Sequence, residues 1–330
     1  MASRSLKLLA SLLIAALAVL PASAQNDPAL TAKLESQIAG FHGKVSLYAK
    51  DLATGQTVTI DADQPVPTAS VIKLTVLYTA LQQIREGRVH FGDKLTLRKQ
   101  DQVPGSGVLL FFDTPLTLTL KDALTLMIAV SDNTATNLAI DHLGLHAIDA
   151  MITAPPPTGL DLHNTWLYKK VYQPTEGPMP ADQPKFGLGK TTAHEMASVM
   201  ERFVTCSLGP RPAAPAGAGS IPSDQDLCDA AMHMLKVQQD REMIPRHLEA
   251  IDTSEKDSAI ADKIGTLDHV RNDVGAVYTK HGIIVISAFT HDNADTSWTP
   301  DNQAELLIAK MAKEIVDAWV PNSDHPAPAK

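Results

Sequence analysis

PTASVIKLTVLYTAL, residues 67–81, places a serine in front of an apolar run and a lysine one turn behind it. Ile72, Val76, Leu77, Ala80 and Ile84 recur at helical spacing, so a helix is expected from Ser70 to Glu86, stopped by Gly87. Residues three apart share a helix face, which aims the Lys73 amine at the Ser70 hydroxyl. Serine needs such a base to become a nucleophile, and the free N–H groups at a helix start can stabilise an oxyanion. The lysine must be neutral to accept a proton, which demands burial or a nearby positive charge. A chain of this length contains about one S-x-x-K by chance, so the motif alone does not separate a nucleophile from an ordinary helix start.

Two further motifs bear on that choice. AVSDNTATNLAI, residues 129–140, puts Ser131, Asp132 and Asn133 between two helical runs. By itself this is turn and N-cap chemistry for the helix beginning at Thr134. IADKIGTLDHVRND, residues 260–273, puts Lys263 and Gly265 on a strand. A second K-x-G, Lys280 to Gly282, reads as a hairpin turn.

Around these motifs the period of the sequence changes twice. After a short helix, Ala29 to Ala39, KVSLYAKDLATGQTVTIDAD (44–63) alternates on both sides of Ala53-Thr54-Gly55, a β-hairpin. Helices are expected at Lys121–Ala129, Thr134–Leu143, His194–Val204 and Asp226–Leu235. SAIADKIGTL, DVGAVYTKHG and IIVISAFT, between 258 and 290, then read as three consecutive strands, and an amphipathic helix, Gln303–Trp319, follows. Strands at both ends with helices between them give an α+β class: an antiparallel sheet built from both terminal segments (25–66 and 223–321), flanked by helices, with an inserted all-helical domain (67–222).

S-x-x-K, then S-D-N, then a lysine-glycine strand, in that order, resembles the class A β-lactamase family of penicillin-recognising serine hydrolases. The resemblance covers the whole chain after residue 24 and extends to the flanks LTLKDALTLMIAVSDNTATNLAID (118–141), KTTAHEMASVM (190–200) and VRNDVGAVY (270–278). It implies the class A β-lactamase/transpeptidase-like fold, with Ser70 as the acylated nucleophile and Lys73 as its proton partner. Ser131 would relay a proton to the departing lactam nitrogen, and Asn133 would bind the acylamino side chain. Asp132 would brace the loop and Gly265 would have a structural role. Lys263 would help hold the substrate carboxylate, and the backbone N–H groups of Ser70 and Thr266 would form the oxyanion hole. Arg271 falls where many members place a carboxylate-binding arginine, a task suited to its two-pronged guanidinium.

The sequence departs from this family in two places. The strand motif is usually K-T-G or K-S-G, but here Ile264 supplies no hydroxyl, leaving Thr266 and Arg271 to compensate. Class A members also carry an E-x-x-L-N in the Ω-loop, whose glutamate activates the deacylating water. Aligning NTWLYKKVYQPTEG (164–177) with T-x-L-x-R-x-E-x-x-L-N keeps Thr165 and Leu167 in register and sets Val171 at the glutamate. Glu176 is the nearest carboxylate to replace it; Asp161 and Asp182 are weaker substitutes. The expected function is therefore an exported β-lactam hydrolase acting through a Ser70 acyl-enzyme. The alternatives are a same-fold D-Ala-D-Ala peptidase, an esterase, a slow penicillin-binding protein, or a non-catalytic sensor of β-lactams or cell-wall peptides.

Composition limits the partners. Residues 1–24 carry Arg4 and Lys7, an apolar run from Leu8 to Leu20 and an A-x-A site at Ala22-Ser23-Ala24, the layout of a secretory signal peptide. Export to the periplasm or exterior is expected, and no later stretch is apolar for long enough to span a bilayer. The formal charge of −9, without Lys/Arg clusters, argues against nucleic acid and anionic membranes as partners. The expected partner is a small β-lactam or cell-wall-peptide-like substrate, bound by a monomer with no cofactor and no metal. Cys206 and Cys228 flank a Pro/Ala/Gly-rich stretch, and in an oxidising compartment a disulfide closing it is the default reading. FGLGKTT (186–192) resembles the end of a phosphate-binding loop, but Pro184 stands where the first glycine is required. HEMAS lacks the second histidine of a zinc-protease helix, and His142 with His146 has no third ligand. Residues 322–330 are expected to be a loose tail.

Overall fold

The computed structural model describes residues 25–157, 159–213, 219–248 and 259–320. The signal-peptide and tail expectations lie outside the described residues. No described helix is long and apolar enough to cross a membrane.

The first helix, α1 (Pro28–Ile38), starts where Asp27 accepts the Leu30 N–H and Pro28 presets the first turn. Strands β1 (Lys44–Asp51) and β2 (Gln56–Ile60) form the expected hairpin. Its turn is closed by the Asp51 carboxylate, which accepts from Ala53 N and Thr54 Oγ1, each at 2.8 Å, and by Gly55 at φ 78°. Near the other end, β3 (Ile260–Leu267), β4 (Val270–Tyr278) and β5 (Ile283–His291) run antiparallel. Strand β5 pairs with β1, Ile286 opposite Ala49, giving the order β2-β1-β5-β4-β3. A two-residue strand, Gln25–Asn26, adds parallel to β2. Thus β3 is an edge strand, with one side open.

Alternation along the strands divides the molecule into two cores. Val45, Leu47 and Ala49 of β1, with Ile284 and Ile286 of β5, pack against α1 and the last helix, α8 (Gln303–Trp319). Val274, Ala276 and Phe289 face the opposite way, into the core shared with the helical region. That region contains α2 (Lys73–Arg85), α3 (Leu120–Ala129), α4 (Asn133–Leu143), α5 (Leu145–Thr153), α6 (Ala193–Val204) and α7 (Asp224–Lys236). All thirteen residues of α2 are buried, so it is the central rod of this half.

Several details differ from the sequence reading. The inserted region is not wholly helical: Lys94–Leu97 pairs with Leu116–Thr119, and Gly189–Thr191 pairs with both Val66–Pro67 and Trp166–Leu167. Helix α6 lies against the sheet, with His194 stacked on Tyr48 at 4.4 Å and Glu201 paired to Lys50 at 2.8 Å. Helix α5 was not expected; Gly144, at φ 89°, separates it from α4. Strand β4 begins at Val270 instead of Asp273, because Val270 and Arg271 pair with Leu267 and Thr266. The second K-x-G does form a hairpin turn, with Thr279 N donating to Gly282 O at 2.9 Å. Cys206 and Cys228 form a disulfide joining the end of α6 to α7, with Cα atoms 5.7 Å apart.

Candidate active site

Ser70 does not begin the α-helix. It sits in a 3₁₀ turn, Ala69–Ile72, and α2 starts at Lys73. In a 3₁₀ turn residues i and i+3 eclipse each other, so Ser70 and Lys73 remain on one side. Ala69 adopts φ 44°, an uncommon conformation for a residue with a Cβ, and it turns the chain sharply before the serine. The turn is held from the sheet side. Asn272 Nδ2 donates to Pro67 O at 2.9 Å and Thr68 O at 3.2 Å. On the adjacent strand, a Cβ on Gly265 would lie 2.7 Å from Thr68 O and 3.0 Å from Ser70 N. Only glycine lets β3 approach the Ser70 turn this closely.

Lys73 is fully buried, and its Nζ donates to Ser131 O at 2.7 Å, Ser131 Oγ at 3.1 Å and Asn133 Oδ1 at 3.1 Å. Burial and the nearby Lys263 charge hold its pKa well below the ordinary lysine value, with Asp132 pulling the other way. Lys263, also fully buried, donates to Ser131 Oγ at 3.1 Å and to Ile264 O at 2.8 Å. Its pKa is pushed down to about 8 by burial, against the pull of Asp262, Asp240 and Asp273. One hydroxyl, Ser131 Oγ, therefore bridges two lysines.

Ser131 reaches this position because it takes φ 52° between α3 and α4. Asp132 fixes the turn: Oδ1 accepts from Ala135 N at 2.8 Å, and Oδ2 accepts from Val108 N at 2.7 Å and Leu109 N at 2.9 Å. Gly107 permits the close approach, since a Cβ there would fall 2.3 Å from the Asp132 carboxylate. Asp132 thus ties the 103–109 loop to the head of α4.

Ser70 opens into a cavity of about 590 Å³. Asn133 and Ser106 line one side, Thr266 and Trp298 another, and Val171 with Tyr172 a third. Size does not single it out: a cavity of about 580 Å³ between α1 and α8 contains none of the motif residues. What distinguishes the first cavity is Ser70 in its lining beside an edge strand; Lys73, Ser131 and Lys263 are not among its lining residues, and Lys73 is tied to it through Asn133, which is.

The sequence model described as "Beta-lactamase enzyme family" matches residues 29–319. The chain belongs to that family. Over 299 residues it is 24% identical to the β-lactamase regulatory protein BlaB of Streptomyces cacaoi, covering 82% of this chain and 91% of BlaB. A β-lactamase from Sphaerobacter thermophilus superposes with a TM-score of 0.70 at 26% identity, covering 88% of this chain and 98% of that one. PBP-A superposes equally well, with a TM-score of 0.70 at 21% identity over 90% of this chain and 98% of its own, a likeness of fold.

Against the family pattern, two expectations about the site change: the carboxylate-binding arginine and the substitute base. Arg271 is not available to a substrate carboxylate. It pairs with Thr266 across β4 and β3, on the face opposite Lys263, and is fully buried. Its Nε donates to Glu305 at 2.8 Å; its terminal nitrogens donate to the carbonyls of Leu267, Val270 and Ser297, and Trp298 covers it at 4.8 Å. Ile264 also faces away, buried in the core on the α1 and α8 side. Neither residue lines the Ser70 cavity, whereas Thr266 does.

Glu176 is likewise outside it. It lines a separate cavity of about 360 Å³ together with His146, Asp149 and Trp166. The two weaker substitutes are also absent from the lining: Asp161 is exposed, and Asp182 is bound to Lys190 at 2.8 Å. Val171 does line the cavity, where the family pattern expects the glutamate. It is clamped by Asn137, whose Nδ2 donates to Val171 O at 2.9 Å and whose Oδ1 accepts from Val171 N at 2.8 Å. The one carboxylate among the residues lining this cavity is Asp268, on the turn after β3, which accepts from Trp298 Nε1 at 3.1 Å.

Asn137 and Asn272 were missed in the sequence. Asn137 lies one turn after Asn133 on α4, a spacing that places both on one helix face and could have exposed it. Asn272 becomes visible only once the register sets it opposite Gly265. Among the described residues no group of three or more His, Cys, Asp or Glu could hold a metal ion.

Proposed function

We propose that the chain is an exported serine acyl-transfer enzyme that opens β-lactam rings on Ser70 and releases the product slowly. The observation that carries the first half is the buried Lys73–Ser131–Lys263 chain, in which one hydroxyl contacts two lysines of depressed pKa. Lys73, once neutral, takes the proton from Ser70 Oγ as that oxygen attacks the lactam carbonyl carbon. The carbonyl π electrons move to oxygen, where the N–H groups of Ser70 and Thr266 receive the charge. Collapse of this intermediate breaks the C–N bond, and the lactam nitrogen takes its proton from Ser131 Oγ, which is reprotonated by Lys73. Lys263 keeps the Ser131 hydroxyl oriented and supplies positive charge for the ring carboxylate, a task for which Arg271 is not placed.

The second half rests on Val171. Hydrolysis of the acyl-enzyme requires a base to activate water, and an isopropyl side chain cannot accept a proton. Acylation itself has a precedent on this fold: a leucine-to-glutamate variant of PBP-A has been captured as an acyl-enzyme complex with penicillin G. The similarity to BlaB, a regulatory protein, favours a second reading in which the lasting adduct is a signal of β-lactam presence. Both readings share the chemistry at Ser70. Intact-mass measurement after mixing with benzylpenicillin is expected to show one stoichiometric adduct that is missing in Ser70→Ala. A wild-type chain that stays unmodified at millimolar drug would sink the proposal.

A further inference from the structure

The Ω-loop wall of the cavity holds a charge that the acylation chemistry does not use. Lys169 lines the cavity and is partly buried, yet it makes no hydrogen bond or ion pair among the described residues. Its neighbours are committed: Lys170 pairs with Asp141 at 2.6 Å, Lys190 pairs with Asp182 at 2.8 Å, and Lys185 lies over the Phe186 ring at 5.2 Å. An ammonium without a counter-charge on the cavity wall attracts an anion that enters the cavity. Of the other titratable residues of the lining, Tyr172 shares the Ω-loop with Lys169, and Asp268 and His269 lie on the β3–β4 turn. There Asp268 is held by Trp298, and His269 donates its Nδ1–H to Asn293 O at 2.8 Å.

Position along the cavity decides which part of a ligand Lys169 meets. At Gly105 the Asn133 amide and the Tyr172 hydroxyl come close to one another, 2.7 and 3.3 Å from where a Cβ would stand. A substrate amide held by Asn133 therefore lies beside the Ω-loop residue Tyr172, on the wall that also carries Lys169. We infer that Lys169 is a specificity-determining residue that receives a carboxylate on the acyl arm of the substrate. The favoured substrates are then dianions, with one carboxylate at the ring end and a second on the arm. This rests on the Ser70 acylation reading.

The test uses two penicillins that differ only by an α-carboxylate on the arm, carbenicillin and benzylpenicillin. The ratio of their second-order acylation constants is measured within each protein, so any loss of folded fraction cancels. Wild type is expected to favour the carboxylated compound, Lys169→Met to lower that ratio about tenfold, and Lys169→Arg to restore most of it. The wild-type preference should also shrink as salt is raised. An unchanged ratio in Lys169→Met overturns the inference. So does an equal loss for both compounds, which would assign Lys169 to the ring carboxylate that they share. Should neither compound label Ser70, the acylation reading fails separately, and equilibrium binding of the same pair to Ser70→Ala, with and without Lys169→Met, still decides the role of Lys169 by the same ratio.

Discussion

The two walls that face each other across Ser70 are built on opposite principles. On the side of α2, α4 and β3, two fully buried lysines converge on Ser131 Oγ, and the strand is drawn in until only a glycine fits. On the Ω-loop side, the residue placed to act on water is a valine, fixed at both its N–H and its C=O by Asn137. The first wall accepts the cost of desolvating two cations, which depresses their pKa values and readies them for proton transfer. The second is just as firmly held but chemically inert. Rigidity alone does not make a catalytic wall; a group that can exchange a proton must also be there.

This contrast can be broken from either side. Lys73→Met removes the proton acceptor, and the acylation constant for benzylpenicillin should fall about a thousandfold, read as the rate of adduct formation. Val171→Glu offers the missing base, and the adduct should decay about a hundredfold faster in a chase experiment. The lysines also predict a pH profile. Lys263 is protonated below its pKa of about 8, so acylation should fall above that pH, about tenfold per unit, as its charge is lost. Because its folded pKa lies below the ordinary lysine value, the folded state is penalised for holding the proton. Stability attributable to Lys263 should therefore rise as pH increases from about 8 toward the ordinary lysine value of 10.5. Asn137→Ala strips both bonds from Val171 and should cost about 2 kcal/mol in denaturant unfolding. Glu176→Gln should leave adduct decay unchanged, since Glu176 lines a different cavity.

The apolar periodicity along the chain was enough to expect the sheet of terminal segments and most of the helices, and three short motifs pointed to Lys73, Ser131 and Lys263, which meet at the Ser131 hydroxyl. Local pattern served well there because strand alternation and helical spacing decide which face is buried. It failed where a long side chain has a choice of faces. Arg271 stands at a plausible distance along the chain from Lys263, but its strand register turns it to Glu305. Glu176 is close to Val171 in sequence, yet the loop carries it into another cavity. The Ser70 turn was read as α-helical because the apolar period begins there, whereas the first turn is 3₁₀ and is gripped by Asn272 and Gly265 from far along the chain. Such long-range constraints leave no local trace.

The central claim is that attack is equipped and release is not. It is tested most directly by labelling the chain with benzylpenicillin, removing free drug and following the intact mass of the Ser70 adduct with time. An adduct that forms within minutes and persists for hours is the predicted result. An adduct that disappears within seconds, with matching release of penicilloate, would contradict it and require a deacylating base that Val171 cannot be.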